Sequence, residues 1–226
     1  RTNLPPAERG GSPIVYRLTP MARTRLGYRD RRVAGIAELQ HRLDTVQAVC
    51  ALARPHGDTE QPVHGWLTES MAGGLLGARA QPDSLVVVQL SRGSAVLSLE
   101  VDEATQHAPV IRRKLLAYRE ALERRPGWLL LFVVPSAARR SWLLRQVTVE
   151  PALRGWSRGW VCELAHVAAA GLDAPAWSLG ADHARKPLHT LASDRLSRRC
   201  PTPVGSRAWL ELLATGGGED LDEALR

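Results

Sequence analysis

Cysteine is scarce in this chain: Cys50, Cys162 and Cys200 are the only three in 226 residues, and they lie far apart. Their spacing fits neither a zinc site nor a disulfide framework, and points to buried or free thiols in a reducing, cytoplasmic setting. No apolar run approaches the roughly 18 residues that a membrane-spanning helix needs, so the chain reads as soluble with no membrane partner. The opening stretch RTNLPPAERGGSP lacks an initiator Met and has no apolar core of a secretory signal. Gly73-Gly74 and Gly216-Gly217-Gly218 lack the strand-and-helix context of a phosphate loop or dinucleotide fingerprint. Without a nucleophile elbow, Ser-His-Asp hydrolysis has no support. His183 and His189, with Asp182, match no strong metal-ligand spacing.

Lysine is nearly absent too, at two residues against 28 arginines, and the net charge is +7 with a pI near 10.1. Such a balance favours a polyanionic partner, and the planar guanidinium suits bidentate contact with phosphate. DNA is the expected partner. The hydrophobic fraction of 44% suffices for one good core.

Along the chain, residues 1–13 form a Pro/Gly-rich lead-in. PIVYRLTPMARTRLG is a short β-like run followed by a short helix from about Thr19. AGIAELQHRLDTVQAVCALARPHG is a stronger helix, with Ile36, Leu39, Leu43, Val46, Val49 and Cys50 recurring at three- and four-residue steps. VHGWLTES reads as a strand. QPDSLVVVQLSRGSAVLSLEVD reads as two strands joined by a turn at Ser91–Ser94. A helix from about Pro109 to Arg125 follows, closed by Pro126-Gly127. WLLLFVVPS is apolar throughout, the pattern of a strand buried on both faces. SAARRSWLLRQVT is a predicted helix and GWVCELAHVAAAG a predicted strand. From Ala174 to Pro203 no periodicity is clean; SRAWLELLA is a candidate terminal helix before a polar tail. Helices interleaved with strands predict an α/β sandwich.

One constellation stands out. On the second strand of the pair, alternation puts Ala95, Leu97, Leu99 and Val101 on one face, and Val96, Ser98, Glu100 and Asp102 on the other. Asp83 precedes the neighbouring strand, so a hairpin lets it approach Glu100. Two converging carboxylates repel unless one is protonated or a cation bridges them. Hard oxygen ligands select Mg²⁺ or Mn²⁺. On the helix that follows, Ile111, Leu115, Tyr118 and Leu122 fall in one stripe, and Lys114 lies inside the apolar arc. A lysine facing inward needs an anionic partner, and Asp83, Glu100 and Asp102 are the nearest in prospect.

An Asp followed by an acid pair on the next strand, with a lysine on the helix beyond, resembles the PD-(D/E)xK nucleases. Here Asp102 occupies the usual lysine position and Lys114 stands in the place to which that lysine migrates in some members. The run from about Val15 to Val134, most specifically Glu100, Asp102, Thr105, Lys114 and Tyr118, resembles the replication-relaxation family of bacterial plasmid and integrative-element proteins. The resemblance implies a restriction-endonuclease-like α/β sandwich with a central mixed sheet over residues 36–200. A partial winged helix (wing and last helix) would occupy 1–35, with Met21 where glycine is common, and 201–226 a terminal helix and tail. It further implies a DNA-binding protein of plasmid or mobile-element replication or transfer, acting in a replication or transfer complex or as a homodimer. If active as a nuclease or nickase, it would use Asp83, Glu100 and Asp102 as metal ligands for Mg²⁺ or Mn²⁺ and Lys114 at the scissile phosphate. Glu69 and Tyr118 would be auxiliary residues, and Arg112, Arg113, Arg139 and Arg140 DNA contacts. Further basic runs lie at Arg23–Arg32 and Arg195–Arg199. The alternative is an inactive nuclease-fold regulator or a protein-docking module.

Overall fold

Seven strands lie side by side in the order in which the chain makes them. The computed structural model describes residues 2–3, 14–15, 36–72, 74–90, 93–123, 125, 127–180 and 183–195. The chain divides into two compact units, Arg1–Leu43 and Asp44–Arg226. In the first unit β1 (Thr2–Asn3) pairs antiparallel with β2 (Ile14–Val15). Helix α1 (Ile36–Leu52) begins there, with an exposed Arg42–Glu38 pair at 2.6 Å one turn apart. Apart from the short strands β1 and β2, the expected winged-helix segment at 1–35, the run Arg23–Arg32, the side chains of Arg195–Arg199 and the terminal helix and tail lie outside the described residues.

In the second unit, β3 (Val63–Thr68), β4 (Ser84–Leu90), β5 (Gly93–Val101), β6 (Trp128–Val134), β7 (Gly159–Glu163), β8 (Pro175–Ser178) and β9 (Arg185–Pro187) form one mixed sheet. β3, β4 and β5 are antiparallel neighbours, β5, β6 and β7 run parallel, and β8 and β9 return antiparallel. The helices are α2 (Glu69–Ala72), α3 (Ala108–Glu123), α4 (Ala137–Thr148), α5 (Leu164–Ala170) and α6 (Leu188–Arg195). With α1 they make six α-helices among the described residues.

Two parallel crossovers, β5–α3–β6 and β6–α4–β7, advance in the same direction across the sheet. Right-handed crossovers then put α3 and α4 on one face. Ile111, Leu115, Tyr118 and Leu122 of α3 and Leu143 and Val147 of α4 pack there with Val96, Leu130, Phe132 and Val161. The opposite face carries Ala48, Val49, Ala51 and Leu52 of α1, Val167 of α5, and Leu188 and Leu191 of α6 over Leu97, Leu99, Leu129 and Leu131. The strand at the centre, β6, is buried at all seven positions, its odd residues serving one core and its even residues the other. Each large side chain fully buried in this way contributes roughly 2 kcal/mol.

Three expectations are revised. The buried face of α1 is Thr45, Ala48, Val49 and Leu52, whereas Leu43, Val46 and Cys50 are exposed. GWVCELAHVAAAG is a five-residue strand that turns at once into α5, because LAHVAAA is dominated by alanine, the strongest helix former. The region from Ala174, which showed no period, supplies two short strands and α6.

Candidate functional site

The β4–β5 hairpin sets the acids. Its register pairs Ser84 with Leu99, which puts Asp83 opposite Glu100. The Asp83 backbone N–H donates to the Leu99 carbonyl at 3.0 Å, and the Asp83 Oδ2 accepts from the Val101 N–H at 2.7 Å. The alternation of β5 then turns Glu100 and Asp102 toward the α3–α4 layer. Both are buried, Glu100 at 1% exposure.

From the helix side, α3 brings two groups to Glu100. Lys114 Nζ donates to its Oε2, and Tyr118 Oη donates to its Oε1. Lys114 and Tyr118 are four residues apart, one turn on the same helical face. Tyr118 is fully buried, but Lys114 keeps 24% of its side chain exposed, the geometry of an amine that reaches inward from the rim. Desolvation pushes the Glu100 carboxyl up to about 8; Asp83 adds to that rise, while Lys114 and Tyr118 oppose it. The Tyr118 hydroxyl is raised as well, by burial first and then by the charge of Glu100.

Asp102 points elsewhere. Arg139 of α4 clamps it with two bonds, Nε to Oδ2 at 2.5 Å and Nη2 to Oδ1 at 3.1 Å. The same Nη2 donates to the Gln106 carbonyl at 3.0 Å, and the guanidinium stacks 3.9 Å from the Trp142 ring. A bidentate, stacked arginine is held by geometry as much as by charge. Its neighbour Arg140 pairs with Glu163 at the end of β7 and stacks 3.9 Å from the Trp177 ring.

The cluster thus unites Asp83, Glu100, Lys114 and Tyr118, with Asp102 beside it in a separate clamp. Glu69 is exposed at the start of α2, two strands from Glu100. Of the arginines expected on DNA, Arg139 and Arg140 are inward ion-pair partners, and half-buried Arg112 reaches Gln146 at 3.4 Å; Arg113 is exposed. Sequence reasoning missed the clamping role of Arg139. The pattern Ser136-x-x-Arg139 carried a signal, because Ser136 caps α4 by accepting from the Arg139 N–H and so fixes Arg139 in the first turn. His183 rests between Thr148 Oγ1 at 3.0 Å and the Ser178 carbonyl at 3.2 Å; Asp182 lies outside the described residues.

The carboxylate oxygens are the right donor type for Mg²⁺ or Mn²⁺, but their arrangement does not suit either ion. Both Glu100 oxygens and both Asp102 oxygens already accept from protein groups. The three acids do not converge as a metal-ligand trio. A ligating carboxylate must also be ionised, and burial works against that at Glu100.

Among the described residues no helix is long and apolar enough to cross a membrane. No curated protein and no solved structure shows a significant match to this chain. A family model described as replication-relaxation matches residues 2–128, which takes in the hairpin, the acid–lysine cluster and α3. With more than half of its length covered by that match, the chain belongs to the replication-relaxation family.

Proposed function

We propose that this protein is a DNA-binding component of plasmid or mobile-element replication or transfer, and that its acid–lysine cluster braces the fold rather than cutting DNA. Family membership supports the replication setting. The net charge of +7 supports a polyanionic partner. The observation that carries the non-cleaving half is the capture of both Glu100 oxygens by Lys114 and Tyr118 at a position 1% exposed. In this reading, exposed Arg113 of α3 and Arg145 of α4 meet phosphates, while Arg139 and Arg140 hold the interior. The PD-(D/E)xK-like frame would then present a basic surface.

A second reading rests on Asp83, which stands opposite Glu100 in the hairpin register and close enough for its charge to be felt there. Two acids from neighbouring strands with an inward lysine are the equipment of a metal-dependent nuclease or nickase. That reading requires Lys114 and Arg139 to release the carboxylates before any cation enters.

Two assays separate the readings. Supercoiled plasmid is incubated with Mg²⁺ or Mn²⁺ and either the wild type or the Glu100→Ala/Lys114→Ala double variant. Equal, background-level nicking is expected; nicking by the wild type that the double variant loses establishes the second reading. A duplex mobility shift is then followed across a salt series. Binding that weakens steeply with salt is expected, since phosphate contacts release counterions. Salt-independent or absent binding points to a protein-docking module.

A further inference from the structure

On the face of the sheet opposite the acid–lysine cluster, three residues far apart in sequence come together. His56 follows α1, Asp173 closes the short 3₁₀ turn Gly171–Asp173, and His189 is the second residue of α6. His56 Nδ1 lies 3.5 Å from Asp173 Oδ2, and His189 Nδ1 lies 3.2 Å from Asp173 Oδ1. The two imidazoles stack with centroids 4.6 Å apart and planes 29° off parallel. Ligand atoms of the three residues all lie within 4.8 Å of one another, and among the described residues no other trio of His, Cys, Asp or Glu does so.

We propose that His56, Asp173 and His189 form a binding site for a divalent transition-metal ion, with zinc as the reference ion. Two imidazole nitrogens and one carboxylate make an N₂O donor set, which suits Zn²⁺, Co²⁺ or Ni²⁺ and not Mg²⁺. Tetrahedral ligands at bond lengths of about 2.1 Å stand roughly 3.4 Å apart. The two His–Asp separations are of that size but run to different oxygens of Asp173, and the three ligand atoms, within 4.8 Å of one another, draw together by about an ångström around one ion. The carboxylate of Asp173 is 64% exposed and the rings 21% and 33%, so an ion enters from solvent and keeps water in its remaining position.

The backbone holds the three donors in place before any ion arrives. A Cβ at Gly171, whose φ is +54°, would lie 2.6 Å from the Ala51 carbonyl, so the 3₁₀ turn seats directly on the end of α1 beside His56. The Leu188 N–H donates to the Ala174 carbonyl at 3.1 Å and pins the start of α6 to the same turn. A bound ion would tie α1, the turn and α6 together. It would act as a clamp on the fold, independent of any activity at the Glu100 cluster.

The test uses the full chain without a histidine tag, dialysed against Zn²⁺ and then against metal-free buffer, with metal counted by mass spectrometry and binding followed by calorimetry. One equivalent of zinc per chain is expected. A hundredfold excess over Kd should raise Tm by roughly 5–10 °C. His189→Gln and the near-isosteric Asp173→Asn should each weaken binding at least about tenfold, while His166→Gln, outside the trio, should leave it unchanged. Asp173→Asn keeps the test decisive should a histidine variant misfold. Wild type that takes up no stoichiometric zinc, or uptake that survives both Asp173→Asn and His189→Gln, overturns the proposal.

Discussion

Lys114 of α3 donates to Glu100 of β5 across the boundary between helix and sheet, and the two sides of that bond differ sharply in exposure, 24% against 1%. The carboxyl is committed to the interior, whereas the amine retains a route to water. Loss of either partner therefore has unequal consequences.

At pH 9, above the Glu100 titration, Lys114→Met leaves the buried carboxylate with Tyr118 alone, and should cost about 3 kcal/mol in urea unfolding. Adding Glu100→Gln to Lys114→Met should recover part of that loss, because the uncompensated carboxyl is gone. A double-mutant cycle measures the coupling. A Lys114→Met variant as stable as wild type would show that the pair contributes nothing.

Stability should fall as pH rises through the window set by Glu100. Its carboxyl is raised from 4.5 to about 8 on folding. Below pH 4.5 both states hold the proton. Between 4.5 and 8 the unfolded chain has released it and the folded chain has not, so the unfolded state binds fewer protons and the slope is negative. Denaturation midpoints from pH 5 to 8 should show this decline, and Glu100→Gln should flatten it.

Arg139 and Arg113 should separate by readout. Arg139→Lys breaks the bidentate grip on Asp102 and the stack on Trp142, and should cost roughly 1–3 kcal/mol of stability. Arg113→Ala with Arg145→Ala should leave unfolding within about 0.5 kcal/mol of wild type. The same pair should weaken duplex binding and lower the salt slope by nearly two. Retained affinity in that pair would place the DNA contacts elsewhere.

Gly171→Ala forces a left-handed φ of +54° on a side chain that would also meet the Ala51 carbonyl at 2.6 Å. A loss of roughly 2 kcal/mol or more is expected from the strain and the displaced turn. Gly57→Ala, at the similar φ of +54° with open space around it, should cost less. The difference between the two variants isolates the steric part.

Much of the architecture is visible in the residues alone, for local reasons. WLLLFVV has the length and unbroken apolarity of a strand buried on both faces, and it is the middle of the sheet. The alternation of β5 and the stripe of α3 are strong periods, so the sequence directs Lys114 toward the acids Asp83, Glu100 and Asp102, and the fold selects Glu100 among them. Asp102 was harder to place. It shares a face with Glu100, yet its partner is Arg139, 37 residues on, and a basic pair near a helix start reads equally well as a solvent-facing patch. His56, Asp173 and His189 were beyond reach, because sequence neighbours suggested grouping His189 with His183. The link to His56 depends on a glycine turn resting on another helix, a packing event with no periodic trace.

The seven strands of the main sheet stand in chain order, so each strand's partner on one side is the strand made just before it. No strand has to wait for a distant segment or be inserted between two others. The strand pairings can form from one edge onward, whereas one face of β4 and β5 is covered only when α6, late in the chain, packs over it.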